Sequence, residues 1–176
     1  MKTTIRQEKQ SDFQDVFSVI EKAFKDDPLS DDSEQFLVER LRKSTAFIPE
    51  LSLIAELNNK IIGHILLTRI QIKNDKIIND SLALAPVSVN LRWQNQGVGS
   101  KLIIRAHEIA KGLGYQSIVL LGHENYYPKF GYERASKFGI TLPFEVPDEN
   151  CMAIELEKGG LEGVSGMVEY APEFFE

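Results

Sequence analysis

Ser81-Leu82-Ala83-Leu84-Ala85-Pro86-Val87-Ser88-Val89, followed after a short loop by Gln94-Asn95-Gln96-Gly97-Val98-Gly99-Ser100, is the stretch that decides the fold. Its first part has the apolar, β-branched character of a strand. Pro86 cannot donate to a ladder, so it marks a bulge, a sheet edge or a place where two strands part. Beyond the glycines, Leu102, Ile103, Ala106, Ile109, Ala110 and Leu113 recur at helical spacing, and Gly112 and Gly114 close the helix. Ser117–Leu121 follows at once as another strand. Strand, loop, helix, strand is a βαβ unit, which predicts two near-parallel neighbours joined by a right-handed crossover.

Outward from this unit, residues 3–6 form a short candidate strand. Ser11 with Gln14 three places on resembles a capping box. The helix it opens carries Phe13, Val16, Phe17, Ile20 and Phe24 on one stripe. Asp26-Asp27-Pro28-Leu29-Ser30-Asp31-Asp32-Ser33 breaks that helix and caps a second one, which runs to about residue 43 and is expected to turn Phe36, Leu37 and Leu41 inward. Residues 51–57 and 61–72 flank Asn58-Asn59-Lys60 in a hairpin pattern. Late strands are expected at 152–156 and near 167–170.

At 176 residues, with 43% hydrophobic and 26% charged side chains, the chain fits one globular domain spanning residues 1–176, and disorder is excluded. No apolar run approaches the ~18 residues of a spanning helix. The N-terminus turns polar before any secretory core develops, so a cytoplasmic location and no membrane partner are expected. Cys151 is the single cysteine, and no zinc or disulfide pattern accompanies it. The net charge of −6 argues against nucleic acid. Residues 92–137 nevertheless carry +4 against −10 elsewhere. That asymmetry fits a local anionic ligand or chance clustering on a solvated helix.

Gly97 and Gly99 let successive backbone N–H groups converge at the start of a helix, whose partial positive charge would add to a pyrophosphate cradle formed by Gln94, Asn95, Gln96, Gly97, Val98, Gly99 and Ser100; the alternative is an ordinary glycine-containing loop capped by Ser100. A dinucleotide fingerprint needs a third glycine where Leu102 stands, and a P-loop needs Gly-Lys-Ser/Thr. Both patterns are absent. The Gln94-x-x-Gly97-x-Gly99 loop after a strand, with Tyr126-Tyr127-Pro128-Lys129-Phe130-Gly131-Tyr132 past the next one, resembles the two signature motifs of the GNAT superfamily of N-acetyltransferases. Residues 84–89 and 121–127 look like a bacterial subgroup of it.

This resemblance implies an α/β (α+β) fold with a mixed, mainly antiparallel sheet, opened by a splayed parallel pair, with helices on both faces. It implies acetyl-CoA as cofactor, CoA as product, and a cradle at residues 94–100. Val87, Ser88 and Val89 would then line the splay, with the backbone groups of Val87 and Val89 pairing to pantetheine and N–H groups near Ser88 polarising the thioester carbonyl. Tyr127 matches the tyrosine that protonates the departing thiolate, while its alternative is a packed aromatic in a turn. Tyr126, Phe130 and Tyr132 read as core.

The implied reaction is direct acetyl transfer to a primary amine in a ternary complex. Members acting on protein lysines often carry a glutamate where Ala83 stands, so a small-molecule amine is expected. The base is left open between His123, Glu124 and water. The acidic run from Asp26 to Glu34 lines the acceptor side in such proteins, or is merely a solvated capping loop. His64 and His107 receive no role, and no metal is expected. Cys151 is placed in a late strand away from both motifs, which leaves no covalent intermediate. A noncatalytic acyl-CoA sensor is the competing function, and the chain is expected to be a monomer or a homodimer.

Overall fold

The hairpin is the seed of the sheet. In the computed structural model, which describes residues 2–176, Asn58 and Asn59 adopt φ values of 52° and 60°. Two successive positive φ angles are what a tight turn between twisted antiparallel strands requires, and asparagine tolerates them. The turn joins β2 (Phe47–Leu57) to β3 (Lys60–Lys73), so Lys60 already belongs to the strand. In chain order the other elements are β1 (Thr4–Gln7), α1 (Phe13–Phe24), α2 (Glu34–Leu41), β4 (Ile78–Val89), α3 (Val98–Gly112), β5 (Ser117–Leu121), β6 (Glu133–Arg134), β7 (Ile140–Thr141), β8 (Cys151–Glu155) and β9 (Gly166–Glu169). The strands form one sheet in the order β1-β2-β3-β4-β5-β8-β6, and β9 pairs with the far end of β3 and with β7.

Pairing is antiparallel except for β4 with β5 and the short β7 with β9. The mixed, mainly antiparallel sheet expected from sequence is therefore present, with a second parallel contact that the sequence did not signal. Side chains alternate between faces. Leu53, Ile65, Leu67, Leu82, Leu84, Ile118 and Leu120 turn to the face covered by α3, where Leu102, Ile103, Ala106 and Ala110 meet them. Burying each large aliphatic side chain is worth about 1.5–3 kcal/mol. Ile54 and Leu66 turn to the opposite face, beneath Val16 and Ile20 of α1 and Val38 and Leu41 of α2. Helices thus cover both faces, as expected.

The N-terminal helices depart from expectation in two places. A 3-10 turn at Gln10–Asp12 precedes α1, and the Asp12 carboxylate accepts the Lys9 N–H at 2.7 Å, so Ser11 is not the cap. In α2 the buried residues are Gln35, Val38 and Leu41, with Leu37 partly buried against the same cluster, so Leu37 and Leu41 turn inward as expected and Phe36 does not, because the helix begins at Glu34 and this phase sets its buried face. Phe36 is 48% exposed and meets the Phe17 ring edge-on.

A buried polar chain ties these helices to the sheet. Arg42, just past α2, pairs with Glu8, and the Ser52 hydroxyl donates to the Glu8 carboxylate at 2.7 Å. That hydroxyl has one proton, already given, so the His64 Nε2–H donates to Ser52 Oγ across 3.2 Å. His64 is fully buried on β3, and its pKa is pushed down to about 4, chiefly by burial. His107 is neutral for the same reason and bonds the Tyr132 hydroxyl at 2.8 Å. Both histidines are structural.

Candidate active site

The cleft begins where β4 and β5 stop pairing. Their ladder covers only Leu82 to Leu84 against Ile118 to Leu120. At that level Ala85 and Pro86 together face Leu66, a bulge that shifts the register of β4 on β3. Beyond it each strand stays with its outer neighbour: β4 follows β3 to the Val89–Gly63 pair, and β5 follows β8 to Leu121–Cys151. Pro86 therefore marks the parting that the sequence pointed to.

The exposed edge of β4 can be read from its ladder. The Asn90 N–H bonds the Ile62 carbonyl at 2.8 Å. Two residues back along an antiparallel pair, Ser88 turns its N–H and C=O toward His64, so those of Val87 and Val89 point into the gap. Ser88 is 3% exposed and its own amide faces β3. The N–H groups aimed at the cleft belong to its two neighbours. The Val89 carbonyl is met by the Gln94 side-chain amide at 3.2 Å.

Residues 90–97 lead from this edge into α3. The Asn90 side chain accepts the Arg92 N–H, Gln96 Nε2 donates to the Arg92 carbonyl at 2.9 Å, and Asn95 and Gly97 take positive φ. The helix begins at Val98, inside the glycine loop, because the Lys101 N–H already bonds the Gly97 carbonyl. Val98, Gly99 and Ser100 are thus the first helical turn, whose N–H groups have no partner within the helix and carry its positive pole. Gly99 is needed for space: a Cβ there would lie 2.7 Å from the Tyr126 hydroxyl.

That contact moves Tyr126 out of the core to which the sequence assigned it. It is half-buried beside Ser100, and burial raises its pKa against the opposing pull of the Ser100 hydrogen bond. The Lys129 ammonium stacks 4.1 Å from its ring. Tyr127 is 7% exposed, edge-on to Tyr126 and Tyr132, and packed so closely on Gly122 that a Cβ there would come within 2.4 Å of the ring. Burial, then the charges of Tyr126 and Asp27, raise its pKa well above the usual tyrosine value. Tyr132 is buried as expected, and Phe130 is half-buried against the same cluster.

Opposite the tyrosines, the turn after α1 closes on the end of β5. Asp27 Oδ1 accepts the Leu29 N–H at 2.9 Å, and Oδ2 lies 3.3 Å from His123 Nε2. The rest of the acidic run behaves as a capping loop, with Asp31 bonded to Ser33 and Glu34 to Ser30. Glu124 is exposed. Sequence pattern gave Asp27 no individual weight, since its partner lies 96 residues away.

The acetyltransferase (GNAT) domain family matches residues 4–135. The chain belongs to this family. It is 35% identical to the uncharacterized N-acetyltransferase YjhQ of Escherichia coli over 80% of this chain and 75% of that one. A crystal structure of a GNAT family acetyltransferase from Brucella melitensis, in complex with acetyl-CoA, superposes with a TM-score of 0.80 at 28% identity, over 98% of both chains. The Escherichia coli GNAT protein YhbS, in complex with CoA, matches in fold with a TM-score of 0.90 at 23% identity, over 100% of this chain and 93% of that one.

Two further features of this GNAT domain bear on its cleft. Among the described residues, Arg92, Lys101 and Lys129 are the cations of the basic segment without a carboxylate partner, whereas Arg105, Lys111, Arg134 and Lys137 are each paired. The unpaired three belong to the glycine loop, the first turns of α3 and the tyrosine segment. Cys151 lies closer than the sequence implied: β8 runs antiparallel to β5, which sets it opposite Leu121 beside the tyrosine loop. Its thiol is 9% exposed, donates to the Pro147 carbonyl at 3.7 Å, and is pushed up in pKa by burial. No helix among the described residues is long and apolar enough to cross a membrane.

Proposed function

We propose that this protein transfers an acetyl group from acetyl-CoA to the primary amine of a small molecule, by direct attack in a ternary complex. The observation that carries this reading is the parting of β4 from β5, which opens the β4 edge at Val87 and Val89 beside the unpaired N–H groups at the start of α3, with Tyr127 on the segment after β5 within electrostatic reach of Asp27. An anionic, strand-like donor with a thioester at its tip fits that path. The acetyl-CoA and CoA complexes of the Brucella and Escherichia coli proteins support the choice of donor.

In this reading, residues 94–100 hold the pyrophosphate through backbone N–H groups. Val87 and Val89 align the pantetheine arm, and a Val87 or Val89 N–H polarises the carbonyl. Acetyl-CoA supplies the activated acyl carbon. Holding both reactants in one cleft supplies much of the acceleration, and Tyr127 donates its proton to the leaving sulfur.

The experiment is a thiol-release assay with acetyl-CoA across a panel of small amines and lysine peptides, with products confirmed by mass. Amine-dependent CoA release with a small primary amine, and an N-acetylated product, is the expected outcome. Acetyl-CoA binding with no amine-dependent release across the panel would favour a sensor instead.

A further inference from the structure

The fold brings the turn after α1 against the segment that follows β5, setting Asp27 beside His123 and within electrostatic reach of Tyr127. Asp27 comes from the turn after α1, His123 from the loop after β5, and Tyr127 from the segment that follows. Asp27 is fixed by the Leu29 N–H on one oxygen and faces His123 with the other. A carboxylate only accepts, so the imidazole proton it meets is on Nε2, and Nδ1 is left with its lone pair. No described residue bonds Nδ1. His123 is itself held near the parting of the strands, because Gly122 is clamped by Asn150 through the Gly122 N–H at 2.9 Å and the Asn150 amide at 3.0 Å.

Resting on the amine-acetylation reading, we propose that Asp27 and His123 form the proton-accepting dyad of the reaction, with His123 Nδ1 as the base and Asp27 as its positioning residue. As the nitrogen–carbon bond forms and the carbon–sulfur bond breaks, Nδ1 takes the proton from the amine nitrogen and the sulfur takes one from Tyr127. The imidazolium, held opposite Asp27, then gives up its proton, and Tyr127 recovers one through solvent. An acceptor entering as the neutral amine leaves no net proton; one entering as the ammonium releases a single proton to water.

One carboxylate serves both tasks. Asp27 accepts the imidazole Nε2–H and so orients the ring, and its negative charge adds to burial and Tyr126 in keeping Tyr127 protonated for donation. Among the described residues, Asp27 from the turn after α1 is the charged group paired with the His123 ring, and Glu124 follows it in sequence, exposed, on the same loop. The buried alternative, His64, is bonded through Nε2 to Ser52 and sealed beneath α1, so it is not the base.

The test measures kcat against pH for the wild type, His123→Gln and Asp27→Asn, with acetyl-CoA and a turned-over amine, each variant checked by melting temperature. His123→Gln is expected to lower kcat about 10- to 100-fold and abolish the acidic limb of the profile, with KM for acetyl-CoA within twofold. Asp27→Asn keeps an oxygen for the Leu29 N–H. With an amide in place of the second carboxylate oxygen it no longer reliably accepts the Nε2–H, so kcat should fall with KM for acetyl-CoA within twofold. Wild-type kcat in both variants overturns the dyad, and so does a loss of rate in His123→Gln with the acidic limb unmoved, which is the signature of a structural clamp. Absence of amine-dependent CoA release from the wild type overturns the acetylation reading itself and is seen before any variant is compared.

Discussion

Tyr127→Phe is expected to lower kcat about 100- to 1,000-fold while the Kd for acetyl-CoA stays within twofold. The substitution removes one oxygen and one proton. The ring packing against Gly122, Tyr126 and Tyr132 is apolar and edge-on, so phenylalanine preserves it. What is lost is proton donation to the thiolate as charge builds on sulfur, and a positioned general acid contributes typically about 10²–10⁴ in rate. The raised pKa of Tyr127 keeps the phenol protonated across the working range, so the wild type starts each cycle as a donor. Because the interaction develops only as the bond breaks, kcat and kcat/KM should fall together. Stopped-flow or steady-state thiol release, with titration calorimetry for the Kd, reads both quantities. Wild-type kcat in the variant would remove Tyr127 from the chemistry and leave it as packing.

Arg42→Ala is expected to destabilise the fold by about 3–5 kcal/mol at pH 7, read as a shift in the urea midpoint with unchanged slope. The loss comes chiefly from what is left behind. Glu8 has a side chain 2% exposed, and without Arg42 its remaining support is the Ser52 hydroxyl and a histidine held neutral by burial. A buried charge that loses its partner costs far more than a surface pair is worth. Arg42 also stacks 3.9 Å over the Phe13 ring, so truncation removes packing between α1 and α2. A change below about 1 kcal/mol would show that water reaches Glu8 readily, and that the chain from Arg42 to His64 does not bind the helices to the sheet.

Local chemistry made the centre of the fold legible, and long-range chemistry hid the rest. Asn58-Asn59, Pro86 and the spacing of Leu102, Ile103 and Ala106 act within a few residues of chain, so turn, bulge and helix were each readable. The phase of α2 was legible only in part, since Phe36 is as apolar as Leu37 and Val38 and only the sheet beneath decides which turn inward. The site divides in the same way. Gly97 and Gly99 announced a cradle through backbone geometry, whereas the role of Tyr126 depends on how a loop 27 residues later folds onto Gly99. The Asp27–His123 contact and the placement of Cys151 opposite Leu121 arise from strand order, which no local pattern encodes.

A crystal structure of the protein with acetyl-CoA bound would show directly where the donor lies. Pyrophosphate is expected at the first turn of α3, the pantetheine arm along Val87 and Val89 between β4 and β5, and sulfur within hydrogen-bonding reach of the Tyr127 hydroxyl. Sulfur placed at Tyr126 and beyond reach of Tyr127, or an arm that does not follow the open edge of β4, would contradict this arrangement.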